Sequence, residues 1–241
     1  MGDAVAVKDV SRYFGSRPAL IDVSLKIRKG CIFCIAGPNG SGKTTLLSII
    51  AGVLAPSKGM VEIYRNLRLG YAYQHPKLSE ELTAGENLAF FSQLTDARDA
   101  KWGKNLVKVL KLDEILDDNA DGLSSGTRKR LEIAVSLLHN PKIILLDEPT
   151  AGLDVESTRE VLGLVKLFKK ERKTVVVATH QLENFCGICE RLAVLSRGRL
   201  VLERDVRKVC GKKLMQLYES ALAEASGKSH MLCGGSMSRK D

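Results

Sequence analysis

A glycine-rich segment that ends in lysine and threonine is the first feature of the sequence with an evident chemistry. Residues 37–44 have the sequence GPNGSGKT, which fits the phosphate-loop pattern of glycines followed by lysine and a hydroxyl residue. Glycines let the backbone approach phosphate oxygens, so successive N–H groups can form an anion-binding nest. In such a loop we expect Lys43 to reach the β- and γ-phosphates and the Thr44 hydroxyl to ligate magnesium. The segment predicts a binding site for a nucleoside triphosphate.

Two adjacent carboxylates supply the other half of the predicted site. Asp147 ends the apolar run IILLD, and Glu148 follows it directly. Ligands of open α/β sheets bind at the carboxyl ends of strands, which is where this pair falls. We expect Asp147 to hold Mg²⁺, directly or through a bound water, and Glu148 to activate a water for attack on the γ-phosphate. The alternative for such a pair is a solvated strand end.

The elements around these residues predict an α/β fold. The apolar run CIFCIAG before the phosphate loop indicates a buried strand, and residues 41–51 have a helical pattern. IILLD and TVVVAT indicate two more buried strands. Between them a helix is marked by Val155, Thr158, Leu162, Val165 and Phe168. Alternation of strands and helices predicts a mostly parallel sheet with helices packed on both faces, as in the P-loop NTPases.

Further elements are predicted on either side of this core. Strand patterns occupy residues 5–10, 20–27, 61–63 and 69–73, and an antiparallel β part is expected near the N-terminus. From about residue 76 to 140 strand signals vanish, and three apolar stripes predict an inserted α-helical subdomain; the stripes are Leu88, Phe91 and Leu94; Leu106, Val109 and Leu110; and Leu131, Ala134 and Leu138. A helix over 181–189, a hairpin over 192–202 and a last helix over 205–225 complete a predicted domain of residues 1–225. The polar segment 226–241 is expected to be a flexible tail.

Composition narrows the classes of partner. The net charge of +9, from 37 basic and 28 acidic residues, indicates an anionic partner or a solvated basic surface. Because only 5% of residues are aromatic, a stacking platform for nucleic acid is not expected, and no nucleic acid partner is predicted. No apolar run approaches the roughly 18 residues that span a bilayer, and no signal peptide is visible, so we expect a soluble chain in the cytoplasm.

The cysteines do not have the spacing of a zinc site. Cys31 and Cys34 lie in one predicted strand and should point to opposite faces, whereas Cys186 and Cys189 should share a helical face. The two pairs are about 150 residues apart, unlike the paired ligands of a zinc ribbon. We expect buried free thiols in a reducing compartment.

The combination of GPNGSGKT, LSSGTRKRLEIA, IILLDEPTAGLD and VVVATH resembles the ATP-binding subunit of ABC transporters, over roughly residues 5–205. The resemblance implies ATP hydrolysis with Mg²⁺, in a head-to-tail homodimer or heterodimer of ATPase subunits that drives a separate transmembrane permease. Such a subunit lies on the cytoplasmic face of the membrane. Within the family, residues 82–94 and the region after Ser124 look most like exporters with a separate ATPase chain.

The resemblance also implies roles for particular residues. The phosphate loop would contact ATP through Gly37, Pro38, Asn39, Gly40, Ser41, Gly42, Lys43, Thr44 and Thr45. Gln74 would lie near magnesium and the attacking water, and His180 would contact the γ-phosphate. The signature residues Ser124, Ser125 and Gly126 would cap the γ-phosphate bound to the opposite subunit, and Asp154 would cross the dimer interface. Phe14 would stack on adenine, with Tyr13 as the alternative ring.

Some of these residues also have purely structural explanations. His180 could be a surface histidine, Phe14 a packing residue, Gln74 a loop amide and Ser124 a helix cap. The signature departs from the usual Leu-Ser-Gly-Gly-Gln, since Ser125 and Thr127 replace glycine and glutamine. The departure suggests either slow hydrolysis or pairing with a different ATPase subunit. The alternative function is a soluble ABC-type ATPase that remodels an iron–sulfur scaffold, a ribosome or DNA.

Overall fold

Strands and helices alternate along most of the chain. The computed structural model describes residues 2–72, 78–209 and 211–227. Within them the strands are β1 (Asp3–Phe14), β2 (Arg17–Arg28), β3 (Ile32–Ala36), β4 (Lys58–Ile63), β5 (Leu69–Ala72), β6 (Ile143–Asp147), β7 (Thr174–Thr179), β8 (Arg191–Ser196) and β9 (Arg199–Asp205). The α-helices are α1 (Lys43–Ile50), α2 (Ala84–Leu94), α3 (Ala100–Val109), α4 (Ser125–Leu137), α5 (Val155–Lys170) and α6 (Lys212–Ala225).

The first two strands and β4 form a small antiparallel sheet. Its order is β2-β1-β4, and β1 pairs antiparallel with both neighbours. Alternate residues of β2 are buried, among them Val23, Leu25 and Ile27, which is the pattern of a strand with one face on a core. The predicted antiparallel β part near the N-terminus is confirmed.

The larger sheet brings three loops to one edge. Its order is β5-β6-β7-β3-β8-β9, and all pairs are parallel except β8 with β9. In the register of the central strands, Ala36 lies beside Thr179, and Asp147 lies beside Ala178. Because neighbouring parallel strands end together, the segments that follow β3, β6 and β7 meet at the carboxyl edge. The predicted α/β class is confirmed.

The larger sheet is covered on both faces. Phe33 and Ile35 of β3 pack with α1 and the antiparallel sheet, whereas Ile32 and Cys34 pack with the core formed by the other helices. Cys31 belongs to the first core and Cys34 to the second, so the predicted opposite orientation of these thiols is confirmed. Burial raises the pKa of the Cys31 thiol to about 12, which makes it unreactive.

The three helices α2, α3 and α4 follow β5 and precede β6. Two members of the predicted apolar stripes, Leu94 and Val155, are exposed because they are terminal residues of α2 and α5. The predicted tail beyond residue 227 lies outside the described residues. Every helix in the described part of the chain is too short or too polar to cross a lipid bilayer.

Two predicted helices are wrong in part. Over 181–189 the structure has only a 3₁₀ turn, Leu182–Phe185, because Gly187 has a positive φ of 76° and the chain turns there towards β8. Cys186 and Cys189 therefore do not share a helical face. The last helix begins at Lys212 rather than at Asp205, because β9 stays paired with β8 as far as Asp205.

A buried lysine links α3 to the strands beneath it. Lys173 is 2% exposed, and its Nζ donates to the Oδ1 atom of Asn140 and, at 2.7 Å, to the carbonyl of Pro141. The same Nζ lies 4.0 Å from the ring centroid of Trp102, whose Nε1 donates to the carbonyl of Leu137 at 2.7 Å. Burial lowers the pKa of the Lys173 ammonium to about 8, because the charged form is poorly solvated there.

This pKa makes stability depend on pH. Since the folded pKa of Lys173 lies below its unfolded value, the unfolded chain binds more protons between pH 8 and 10, and the free energy of unfolding should rise with pH there. Relative to Lys173→Met, which carries no titratable group, the wild-type chain should gain about 2 kcal/mol over that interval. Urea unfolding of both proteins at pH 8 and 10 measures the difference, and equal pH dependence would contradict the shifted pKa.

Candidate active site

The phosphate loop connects β3 to α1, and its geometry depends on glycine. Gly42 immediately precedes α1 and has a φ of 104°, in the region that side chains rarely adopt. A Cβ atom at this position would lie 2.7 Å from the Ala19 carbonyl oxygen and 2.7 Å from the Leu20 side chain. The loop can therefore follow this path only with glycine, and it leads directly into the positive end of the α1 dipole.

Lys43 lies at the start of α1 and is almost completely buried. Its Nζ donates to the carbonyls of Gly37 at 2.8 Å and Pro38 at 3.3 Å. It also lies 3.2 Å from the Oε1 atom of Glu148, and both side chains are nearly inaccessible to solvent. The lysine of the phosphate loop and the carboxylate after β6 thus form one buried ion pair.

Glu148 joins this pair to His180. The Oε2 atom of Glu148 lies 2.9 Å from Nδ1 of His180 and accepts the backbone N–H of the same residue at 3.2 Å. The backbone of Glu148 has a φ of 48°, and its N–H donates to the Ala178 carbonyl on the neighbouring strand. This unusual conformation for a non-glycine residue holds the carboxylate between the ends of β3 and β7. The predicted residues Lys43, Glu148 and His180 are thus brought together.

Asp147 has the features of a cation ligand. It is 1% exposed, and apart from its interaction with the Thr44 hydroxyl its carboxylate oxygens have no hydrogen-bond partner in the described part of the chain. Burial raises the pKa of this carboxyl, and Thr44 and Lys43 oppose the shift only in part. A buried carboxylate beside a hydroxyl is an oxygen donor set that suits Mg²⁺, which usually takes few protein ligands when phosphates supply others. Among the described residues no cluster of three or more His, Cys, Asp or Glu forms a metal site.

A cavity of about 640 Å³ lies over the phosphate loop. Its lining includes residues from Asn39 to Thr45 together with Glu148 and His180. Phe14 lines the same cavity and is 50% exposed, whereas Tyr13 is not among the lining residues. Of the two rings considered for stacking on a base, Phe14 is therefore the one that borders the cavity.

The signature residues lie outside this cavity, at the exposed N-terminus of α4. Ser124 caps the helix, since its Oγ accepts the Thr127 N–H at 3.2 Å and donates to the Thr127 hydroxyl at 2.9 Å. Thr127 is also bound by Arg130, so it does not project freely as a polar arm. Ser124 therefore has the helix-capping role that the sequence allowed as an alternative, and the neighbouring Ser125 is exposed.

Gly126 packs against the start of α5. A Cβ atom at this position would lie 2.5 Å from Ser157 Oγ and 3.2 Å from Asp154 Oδ2. Asp154 caps α5, because its Oδ1 accepts the Ser157 N–H at 2.8 Å and its Oδ2 accepts the Ser157 hydroxyl at 3.0 Å. These hydrogen bonds lower the pKa of the Asp154 carboxyl, so the cap is charged at neutral pH. Gln74 lies outside the described residues, so its position relative to this group is not given.

Sequence reasoning missed two groups of residues near the site. Arg17 pairs with Phe14 across the β1–β2 turn and lines the cavity, but nothing in the sequence distinguishes it from other surface arginines. Thr150, Gln181 and Asn184 form a polar cluster on both sides of His180, with donor–acceptor distances of 3.2–3.3 Å. The position of Thr150 two residues after Glu148 was the available signal for this cluster.

The sequence model of the family described as "ABC transporter" matches residues 20–151, more than half of the chain. The chain belongs to this family. A methionine import ATP-binding protein of Protochlamydia amoebophila is 37% identical over 232 residues, 85% of this chain and 67% of that protein. A daunorubicin resistance ATP-binding protein of Streptomyces coeruleorubidus is 33% identical over 213 residues, 83% of this chain and 67% of that protein.

The fold agrees with solved ABC cassettes. A dimeric ATP-binding cassette in a post-hydrolysis state, bound to ADP and phosphate, superimposes with a TM-score of 0.75 at 31% identity; the match covers 84% of this chain and 99% of that one. The protein is thus an ATP-binding subunit of an ABC transporter and an ATPase. Its relatives include importers as well as a resistance protein, so the family alone leaves the direction of transport open.

Proposed function

We propose that ATP occupies the cavity over the phosphate loop in one defined orientation. Backbone N–H groups of residues 37–45 and the α1 dipole would hold the phosphates, with Lys43 on the β- and γ-phosphates. Thr44 and Asp147, with Gln74, are the proposed Mg²⁺ ligands, and magnesium would neutralise charge that develops on the phosphate oxygens. Phe14 would stack on the adenine ring. The observation that carries the proposal is the contact chain from Lys43 through Glu148 to His180 beside the loop.

For hydrolysis, we propose that Glu148 accepts a proton from the attacking water. In the structure this carboxylate is shared between Lys43 and His180. Phosphates that bind to Lys43 would compete with Glu148 for the charge of the lysine. One oxygen of the Glu148 carboxylate would then be free to bind water. Nδ1 of His180 lies at Glu148, so Nε2 is the ring nitrogen left for the γ-phosphate, and Nε2 must carry a proton to donate to the phosphate oxygens. Each residue then has one role: Lys43 binds, Glu148 takes the proton and His180 orients.

We further propose a head-to-tail dimer in which each subunit completes the other's site. The N-terminus of α4, with exposed Ser124 and Ser125 and buried Gly126, would face the γ-phosphate of the partner, and Asp154 would lie at the same interface. A helix N-terminus favours a bound anion, which supports this orientation. An isologous pairing would complete both sites at once, and a heterodimer would complete them with a different second subunit.

The dimer is proposed to drive a separate membrane permease from the cytoplasmic face. Each subunit would be one ATPase domain of residues 1–225 with a helical subdomain of about 76–140. Phe90 and Leu94 support a docking site on α2, since they are 51% and 68% exposed and lie one turn apart. Export is the proposed direction, supported by the exporter-like motifs and the daunorubicin resistance relative.

Co-expression with a candidate polytopic membrane protein, chosen from the genes that neighbour this one, tests the permease. We expect a detergent-stable complex whose ATPase rate exceeds that of the free chain. Phe90→Glu with Leu94→Glu should weaken this complex by about 30-fold, the usual cost of removing an interface hot spot, and leave basal hydrolysis unchanged. Met60→Glu, at an exposed apolar position on β4, is the matched control. A stable complex of the double variant would contradict docking on α2.

The complex with the membrane protein also tests the direction of transport and the alternative function. Substrate should accumulate in inside-out vesicles with ATP if the direction is export, and uptake by right-side-out vesicles would overturn that direction. Stimulation of hydrolysis by an iron–sulfur scaffold, a ribosome or DNA, with no effect of the membrane protein, would favour the remodelling ATPase instead.

A further inference from the structure

One face of the Phe14 ring is already covered. The guanidinium carbon of Arg12 lies over this ring, 4.8 Å from its centroid. The two residues are two apart in β1, so their side chains leave the strand on the same side. Since the ring is half exposed and lines the cavity, the surface it offers to a ligand is the face opposite Arg12.

Arg12 is itself fixed by the segment that follows α1. Its Nη1 donates to the Ala55 carbonyl at 3.0 Å. On either side of Arg12 the same segment is bonded to β1, because the Ser57 N–H donates to the Ser11 carbonyl at 2.8 Å and Ser57 Oγ accepts the Tyr13 N–H at 3.2 Å. The guanidinium therefore connects the end of the phosphate-loop helix to the aromatic ring.

We propose that Arg12 is a positioning residue for the nucleotide base. It holds the Phe14 ring by a cation–π contact, so the base stacks on a ring that is already oriented and little side-chain freedom is lost on binding. This inference rests on the proposed stacking of adenine on Phe14. Arg12 acts through that ring, and its own contact with the nucleotide is not required.

Loss of Arg12 should weaken binding of the base without changing binding of the phosphates or the rate of the chemical step. A base contact is equal in the ground state and the transition state, so loss of Arg12 should raise KM and leave kcat nearly unchanged. Stacking tolerates any base, so ATP and GTP should be affected alike. Inorganic tripolyphosphate has the phosphates but no base, and its affinity for the phosphate loop should be unaffected.

Calorimetric titration of the full chain with ATP and tripolyphosphate tests these expectations. Arg12→Gln should weaken ATP binding about 3- to 30-fold, the range of cation–π contacts, and Phe14→Ala about 5- to 150-fold, the range of a base stack. Arg12→Lys keeps the cation and should recover part of the loss. The double variant Arg12→Gln, Phe14→Ala should bind ATP no more weakly than Phe14→Ala alone. Tyr13→Ala, on the neighbouring ring outside the cavity, is the control and should bind normally.

Three results would overturn the inference. Additive losses in the double variant would mean that Arg12 acts independently of Phe14. A matching loss of tripolyphosphate affinity would mean that Arg12 merely supports the loop, and it would also reveal a misfolded variant. If Phe14→Ala itself binds ATP normally, the proposed stacking is refuted, and the role of Arg12 is refuted with it. If Arg12→Gln binds ATP normally while Phe14→Ala binds it weakly, the stacking stands and only the role of Arg12 is refuted.

Discussion

Lys43→Ala is expected to abolish ATP hydrolysis and to weaken ATP binding by about 10- to 150-fold, the worth of a charged hydrogen bond. The ammonium is the buried cation of the phosphate loop, held 2.8 Å from the Gly37 carbonyl, and among the described residues no other lysine lines the cavity. Its loss removes the charge opposite the β- and γ-phosphates at the point where charge develops in the transition state. Turnover should therefore fall further than affinity.

The buried ion pair complicates this experiment, and the control must allow for it. Removing Lys43 leaves the nearly inaccessible carboxylate of Glu148 without its lysine partner, which can cost about 3–5 kcal/mol of stability. Lys43→Ala combined with Glu148→Gln removes both charges, so it should recover stability but not ATP binding. Lys26→Ala, an exposed lysine on β2, controls for loss of a positive charge. Thermal unfolding and ATPase rates, measured together, distinguish loss of stability from loss of ATP binding. Near-normal turnover by Lys43→Ala would refute its assigned place in the site.

The parts of the fold that sequence predicts are those set by local pattern. Buried strands such as IILLD are continuous apolar runs, and the glycines of the phosphate loop predict a tight turn before α1. The order β6-β7-β3 is not encoded locally, because it depends on which strands pack together after the helices fold over the sheet. The position of Asp147 at a strand end was therefore predictable from local pattern, whereas its place beside Thr44 followed only from assigning both residues to one magnesium site.

The wrong predictions also arise where contacts between distant segments override the local pattern. The helix predicted over 181–189 has an acceptable local pattern, but tertiary packing ends it after one 3₁₀ turn so that β8 can pair with β3. Likewise the contact of Arg12 with Phe14 depends on the Ala55 carbonyl, more than 40 residues away in sequence. Contacts between distant segments determine how the predicted site residues are supported.

Gly126 shows how the structure changes the choice of experiment. From sequence, Gly126→Asp is the variant that places a carboxylate against the partner's γ-phosphate. The structure makes it a poor probe, because the Cβ atom alone would lie 2.5 Å from Ser157 Oγ, and the new charge would meet the Asp154 carboxylate. Ser125 is exposed in the first turn of α4, where an acidic side chain interacts favourably with the helix dipole. Ser125→Asp therefore adds the same charge without disturbing the fold.

Glu148→Gln is expected to trap ATP between two subunits. The amide keeps the size of the side chain and can still accept one hydrogen bond from Lys43 or His180, but it cannot take a proton from water, so hydrolysis should fall about 10²- to 10⁴-fold while ATP binding survives. A dimer should then appear on gel filtration with Mg-ATP and not with ADP, which lacks the γ-phosphate that the signature residues would cap.

Adding Ser125→Asp to Glu148→Gln tests the arrangement of that dimer. The carboxylate would face the partner's γ-phosphate, and repulsion between like charges should abolish the dimer without changing ATP binding by the monomer. Glu148→Gln with Ser125→Asn, an uncharged side chain of the same size as aspartate, should still dimerise. An ATP-dependent dimer that tolerates Ser125→Asp would contradict the head-to-tail arrangement. If Glu148→Gln alone forms no dimer, that result favours pairing with a different ATPase subunit, which the departures at Ser125 and Thr127 from the usual signature already suggest.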